Sequence, residues 1–372
     1  MTTRDAGILR SAANARSAAS FEGVETVAII GAGVAGLVTA RTLLALGLHS
    51  TVFERNEILG GVWADGYANF GAQAPKELYE IPDWPLPADA PNFTPGPILR
   101  TYLADYADTF GITPLIRFGV DVARVAARAD GKVGWAVASR VGDAESLEDF
   151  DLVVACTGLY SNRPHMPEFP GQKTFTGEII HNSALKSRGR VEGKRVAKKG
   201  FGKSATDAAR ESAAVTAETS IVFRTPHWPL PQKLAGVVPF KCGTLHRLTS
   251  ALIPPYQRVS GLERFIHGPG RPVAWLFWRM VEILLFFQCR LGSRFGTRVS
   301  LVPRVPIEVD SFGESTMVPR PELYRLIREG AINAHRAEIE AYERDAVRLT
   351  DGTRLSIDVF SPPCGRPIRS VS

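Results

Sequence analysis

Gly31, Gly33 and Gly36 stand as GxGxxG inside VAIIGAGVAG, and Gly200, Gly202 and Ala205 repeat the pattern as GxGxxA inside VAKKGFGKSA. Small residues at these positions serve a tight turn, close approach of the backbone to a pyrophosphate, and close helix–strand contact. A diphosphate at such a turn rests on the free N–H groups and positive dipole end of the following helix. Charge then separates the two turns. Glu54 lies 23 residues beyond Gly31, where a carboxylate accepts hydrogen bonds from a ribose. Arg224 lies 24 residues beyond Gly200, where a guanidinium binds a 2′-phosphate through paired charge-assisted bonds. Lys203 and Ser204 are candidates for contacts with the phosphates of the second nucleotide.

The elements that must hold these residues follow from periodicity. TVAII is a continuous apolar run and predicts a buried strand; VAGLVTARTLLALG has helical spacing closed by Gly47; STVFE predicts the next strand. KRVAKK, TDAARESAAV and TSIVFR repeat that βαβ order. The fold class is therefore α/β, with two Rossmann-like dinucleotide-binding domains. ILRTYLADYADTFGI predicts an amphipathic helix, GWAVASRV and DLVVACTG predict strands, and TDGT predicts a hairpin. The expected division is a disordered leader at 1–23, the first part of one domain at 24–165, the second domain at 166–330, and a truncated return to the first domain at 331–372.

Composition narrows the class. The 372 residues are 45% hydrophobic and 22% charged, which is globular, and the net charge of +6 is too dispersed to argue for nucleic acid. Cys156, Cys242, Cys289 and Cys364 are widely spaced without a CxxC pair, which argues against a disulfide framework or a zinc site and fits a reducing, cytoplasmic setting. Arg279 and Glu282 interrupt the apolar stretch 273–289 before it reaches the roughly 20 residues of a membrane span. These two residues are spaced to pair on one helical face. A buried or half-buried helix is expected there, with peripheral membrane contact through 273–289 as the alternative.

Taken together, GAGVAG, FERNEILGGVW, QAPKELYEIPDWP, YLADYADTFGI, DLVVACTGLYSNRP, FTGEIIH, GFGKSATDAA and RTPHWPLP give a chain that resembles the flavin-containing monooxygenases, especially the plant and fungal branch. The resemblance runs from about residue 24 to 360. It implies FAD on the first turn and NADPH on the second, with Arg55, Gly61, Val62 and Trp63 also along the flavin cofactor. Gln73 matches a family amide position facing the flavin and is the catalytic candidate. Phe175, Gly177 and His181 fit the family's FxGxxxHxxx signature, whose histidine is structural or orients the cofactor; Leu185 stands where an aromatic residue completes it. The implied reaction uses NADPH and O2 to oxygenate a small organic substrate at nitrogen or sulfur through a C4a-hydroperoxyflavin. Baeyer–Villiger oxidation of a ketone, or a truncated non-catalytic remnant that binds FAD, are the alternatives.

Two features depart from the family pattern. Lys198 and Lys199 occupy the slots that Ile29 and Ile30 fill in the first unit. Burying two ammonium groups in a parallel strand costs several kcal/mol each, so the strand is expected either to be frayed and solvated or to compromise its domain. The sequence also runs from LTDGTRLSIDV into FSPPCGRPIRSVS, where Pro362, Pro363 and Pro367 cannot supply strand donors.

Overall fold

TVAII forms β1 (Thr26–Ile30), in which Val27, Ala28 and Ile29 are fully buried. An uncharged run survives there because parallel neighbours flank it and both sheet faces are covered. The computed structural model describes residues 23–158, 166–255, 261–311 and 317–362. The chain divides into two units, Met1–Gly66 with Lys76–Arg163, and Tyr67–Pro75 with Pro164–Ser372. The expected leader, apart from Gly23, and the proline-rich end beyond Pro362 lie outside the described residues.

In the first unit, β1 pairs in parallel with β2 (His49–Phe53) and with β7 (Leu152–Ala155); β3 (Ile116–Arg117) extends the sheet beyond β2. Helix α1 (Val34–Ala45) joins β1 to β2, and α2 (Gly96–Thr109) buries Leu99, Tyr102, Leu103 and Tyr106. An antiparallel meander, β4 (Asp121–Ala127), β5 (Trp135–Val141) and β6 (Ala144–Phe150), precedes β7. The start of β1 is pinned by Asp151, whose Oδ2 accepts from Glu25 N at 2.9 Å, Thr26 N at 2.8 Å and Thr26 Oγ1 at 2.8 Å. The Thr26 and Glu25 amides hold this carboxyl below its usual pKa.

The second unit carries a five-stranded parallel sheet in the order β13-β10-β9-β17-β8. Its strands are β8 (Glu178–Ile179), β9 (Arg195–Lys199), β10 (Glu218–Val222), β13 (Asn333–His335) and β17 (Val359–Ser361). Helix α3 (Lys203–Ala213) joins β9 to β10. Strands β11 (Lys233–Leu234) and β12 (Val238–Pro239) make a small hairpin. Four helices follow: α4 (Phe240–Thr244), α5 (Arg247–Leu252), α6 (Gly261–His267) and α7 (Arg271–Gln288); α8 (Leu323–Arg328) precedes β13. A second meander, β14 (Ile339–Tyr342), β15 (Ala346–Leu349) and β16 (Arg354–Ser356), turns at TDGT with Leu349 N donating to Thr353 O at 2.8 Å.

Two expectations change here. The segment expected to return to the first domain pairs inside the second sheet, with β13 beside β10 and β17 between β9 and β8. The reason is packing: β17 supplies the missing neighbour of β9 and buries Val359 and Phe360 completely, just before Pro362 stops the strand. Strand β9 is also not frayed. Lys198 is 0% exposed, in register with Ile221 and Ser361, and Lys199 is half-buried with Nζ 4.4 Å from the centroid of the Phe169 ring.

Two stability measurements check this account. Asp151→Ala should lower the Tm at neutral pH by the loss of about 1 kcal/mol. Because the native pKa lies below the unfolded value of about 3.9, the deficit should shrink as pH falls below that value. Phe360→Ala should destabilise the protein by about 3 kcal/mol or more and lower the Tm, since it empties a site that β17 buries completely beside β9.

Candidate functional site

The first turn is shaped by what its glycines leave out. Gly31 has φ +106°, and a Cβ built there would lie 2.6 Å from Cys156 O. A Cβ on Gly36 would lie 1.9 Å from Gly31 O, so α1 can rest against the turn only without a side chain at this position. Gly33 caps α1 with no side-chain hydrogen bond, which leaves first-turn N–H groups to face an anion. Gly60 and Gly61, at φ +118° and +59°, carry the chain back across it, and a Cβ on Gly61 would lie 3.1 Å from Gly33 Cα.

Glu54 sits behind this turn, 4% exposed. Its Oε2 accepts from Ala32 N at 2.7 Å, while Oε1 accepts from Asn56 N at 2.9 Å and Asn56 Nδ2 at 2.7 Å. The carboxylate therefore latches the turn itself, and about one of its roughly four acceptor positions remains for a ribose. Arg55 and Val62 are exposed, and Trp63 is half-buried with its ring 5.6 Å edge-on to Tyr79. A cavity of about 250 Å3 against α1 is lined by Val34, Val38, Trp63, Tyr79 and Tyr102 among others.

The second turn has the same backbone. Gly31 N donates to Phe53 O and Gly200 N to Val222 O, both at 2.8 Å. The caps Gly33 (φ −80°, ψ −175°) and Gly202 (φ −81°, ψ 178°) match. The helix stands further off, because the Ala205 methyl lies 3.5 Å from where a Gly200 Cβ would be. Arg224 follows β10 at 82% exposure, with Nη1 3.8 Å from Glu338 Oε1. Ser204 is half-buried in the first turn of α3.

Lys203 does not present itself to a phosphate. Its Nζ lies 2.7 Å from Asp207 Oδ2, one turn along α3, and both side chains are nearly buried. Burial holds its pKa down while Asp207 raises it. Asp207 also accepts from Tyr67 OH at 3.0 Å, and Glu211 accepts from Asn69 Nδ2 at 2.6 Å and Arg188 Nη2 at 2.8 Å. The sequence reading missed Asp207 and Glu211. Their four-residue spacing puts them on one face of α3, which was the available signal.

Gln73 is half-buried within Tyr67–Pro75, the segment grouped with the second unit. The FxGxxxH residues form a local brace in that unit. A Cβ on Gly177 would meet the Phe175 ring at 2.4 Å, and Phe175 packs 5.2 Å from the Tyr342 ring. His181 Nδ1 accepts from Ser183 N at 3.3 Å and bonds Ser183 Oγ at 2.7 Å; burial lowers its pKa. Leu185, where an aromatic was expected, is buried with Ile180, Val191 and Val359.

A family model described as flavin-binding monooxygenase-like matches residues 24–254. The chain belongs to that family. It is 36% identical over 203 residues to flavin-containing monooxygenase 1 of Mus musculus, covering 51% of this chain and 38% of that protein. It is 34% identical over 250 residues to the probable flavin-containing monooxygenase 1 of Arabidopsis thaliana, covering 58% and 47%. The chain thus spans less than half the length of these relatives. Among solved structures, epsilon-caprolactone-bound cyclohexanone monooxygenase matches at TM-score 0.68 and 20% identity, covering 92% of this chain and 73% of that one. S-allyl-L-cysteine S-oxygenase from Allium sativum matches at 0.56 and 20%, covering 91% and 61%. These likenesses agree with the α/β fold of two dinucleotide-binding units.

The difference between the two family turns can be measured. Gly36→Ala should destabilise the protein by about 1–3 kcal/mol through overpacking against Gly31. Ala205→Gly, the reciprocal change, should cost only about 1 kcal/mol of helix propensity. Chemical denaturation followed by circular dichroism separates the two.

Proposed function

We propose that this protein is a monooxygenase that holds FAD on the first turn and NADPH on the second, and oxygenates a small organic substrate at nitrogen or sulfur. The observation that carries the reading is the pair of turns with matching backbone and opposite charge behind them, Glu54 in one and Arg224 in the other. The residues present fit FAD. Gly33 and Gly61 form a cradle that a side chain would narrow, α1 offers N–H groups to the pyrophosphate, and Glu54 keeps one acceptor position for the ribose. At the second turn, Gly202 leaves open space over the N-terminus of α3, and exposed Arg224 suits a 2′-phosphate.

Bound flavin would supply the redox chemistry, accepting hydride from NADPH and delivering one oxygen atom of O2 to the substrate. The chain's residues bind and orient. Trp63 and Tyr79 wall the apolar cavity beside α1, and the Gln73 amide is the candidate to hydrogen-bond the reacting oxygen. Support for nitrogen as the acceptor comes from a relative 33% identical over 228 residues, the N-oxide-forming dimethylaniline monooxygenase 4 of Mus musculus. Support for the cofactor pair comes from OTEMO, a TM-score 0.66 neighbour at 19% identity solved with FAD and NADP.

A contact with an anionic membrane surface is part of the proposal. Helix α7 turns Val273, Leu276, Met280, Ile283 and Phe287 outward, each more than half exposed. Arg279 pairs with Glu282 at 2.9 Å and with Glu308 at 2.6 Å, which removes charge from the outer face, while exposed Arg271 begins the helix and exposed Arg290 and Arg294 follow its end. By length and composition Arg271–Phe295 is also apolar enough to cross a membrane.

The test begins with the purified protein, which should show the visible absorption of oxidised flavin and lose it in Gly33→Trp. NADPH should bleach that absorption, and a tertiary amine or thioether should yield the N- or S-oxide. An ester from a ketone would replace the heteroatom reading. A folded wild type that cannot be loaded with FAD would end the flavoenzyme reading. Arg224→Ala should weaken NADPH about tenfold, a loss of roughly 1.4 kcal/mol, with little effect on NADH. Vesicles containing phosphatidylserine should co-float the protein, and Met280→Glu/Ile283→Glu should abolish this.

A further inference from the structure

The two strand ends beside the second turn carry charge that the proposed cofactor role of Arg224 does not use up. β9 and β10 run parallel with Lys199 in register with Val222, and Arg224 follows two residues beyond Val222. Parallel register puts Lys199 and Val222 toward the same sheet face at the strand ends, and Arg224 stands in the bend just past β10. Lys199 lies directly before Gly200, and its ammonium is held over the Phe169 ring, 4.4 Å from the centroid. A half-buried ammonium over an aromatic face is an anchored cation rather than a waving surface lysine.

Glu338 completes the group. It sits immediately before β14, its side chain 48% exposed, with Oε1 3.8 Å from Arg224 Nη1. Burial is the main cause that lowers the Lys199 pKa; of the charged groups acting on it, Glu338 favours its protonation and Arg224 opposes it. The group therefore contains two cations and one carboxylate at the mouth of a turn built for a dinucleotide. A carboxylate against the guanidinium is a weak, solvated partner at this distance and exposure. A phosphate monoester with a charge of about −1.5 to −2 offers more oxygens and more charge to the same guanidinium.

We propose that Lys199 is a second cation for the 2′-phosphate of the nucleotide at Gly200–Gly202, and that Glu338 is the internal anion which that phosphate displaces from Arg224. This rests on the reading of the second turn as an NADPH site. It gives Lys199 a role that an isoleucine, as in the first unit, cannot fill. It also makes Glu338 a residue that sets how strongly 2′-phosphorylated nucleotides are preferred, since the carboxylate competes with the phosphate and leaves an unphosphorylated ribose untouched.

The test is calorimetric titration of the full chain with 2′,5′-ADP and with 5′-AMP, which needs no turnover. Lys199→Met should weaken 2′,5′-ADP about tenfold and leave 5′-AMP within twofold, while Lys199→Arg should retain most of the wild-type affinity. Glu338→Gln should tighten 2′,5′-ADP several-fold and leave 5′-AMP unchanged. Thermal melts of each variant show that the fold is kept. Equal losses for both ligands in Lys199→Met, or no gain in Glu338→Gln, overturn the inference while leaving the NADPH site standing. A wild type that binds neither ligand overturns both.

Discussion

In the first unit, much depends on how closely α1 approaches the carbonyl of Gly31. With no side chain at Gly36 the helix packs onto the turn, and the N–H groups after Gly33 are carried to the end of the sheet. That approach fixes where Gly60 and Gly61 cross back, because their path is limited by Gly33 Cα. It also places Ala32 N against Glu54, so the acid at the end of β2 becomes a latch on the turn. Backbone sterics thus set the position of the Glu54 carboxylate and of the free N–H groups that begin α1.

The second unit reproduces the backbone and changes its surroundings. Alanine in place of the third glycine keeps α3 further from the turn, and the space around Gly202 is open. Charge is redistributed as well. Asp207 and Glu211, 2% and 6% exposed, draw Lys203, Arg188, Tyr67 and Asn69 into one network along α3. Burying a carboxylate is costly without such partners, and Lys203 is taken up by Asp207. The positive charge left facing outward lies instead at the strand ends, on Lys199 and Arg224.

Helix α7 inverts the usual amphipathic arrangement. Its charged residues Arg279 and Glu282 face inward, bound to Glu308 and to Ile307 N, while its outer face is apolar. The ion pair offsets part of its own burial and also caps a neighbouring segment, whereas exposed Val273, Met280 and Phe287 gain nothing from water. Such a face is stable in water only as part of a scaffold held by other contacts, here the Trp278 indole donating to Leu252 O at 2.8 Å.

The sequence by itself determined both βαβ units and the two turns, with Gly31, Gly33, Gly36, Gly200 and Gly202 within the turns and Glu54 and Arg224 just past the second strand of each unit. Each of these is specified locally: glycine by backbone sterics, the apolar strands by burial on two faces, the charged ends by spacing along one unit. The Arg279–Glu282 pair and the TDGT hairpin were legible for the same reason. Tertiary structure decided everything that needed a partner distant in sequence. Asp207 and Glu211 are buried because Tyr67 and Asn69, some 140 residues earlier, bond to them, and a helical pattern does not reveal which of its faces will be covered. Lys198 is enclosed because β17, some 160 residues later, pairs with β9. β13 and β17 complete the second sheet since strand pairing is chosen by the neighbours and the buried area available, neither of which is written in the strand's own residues.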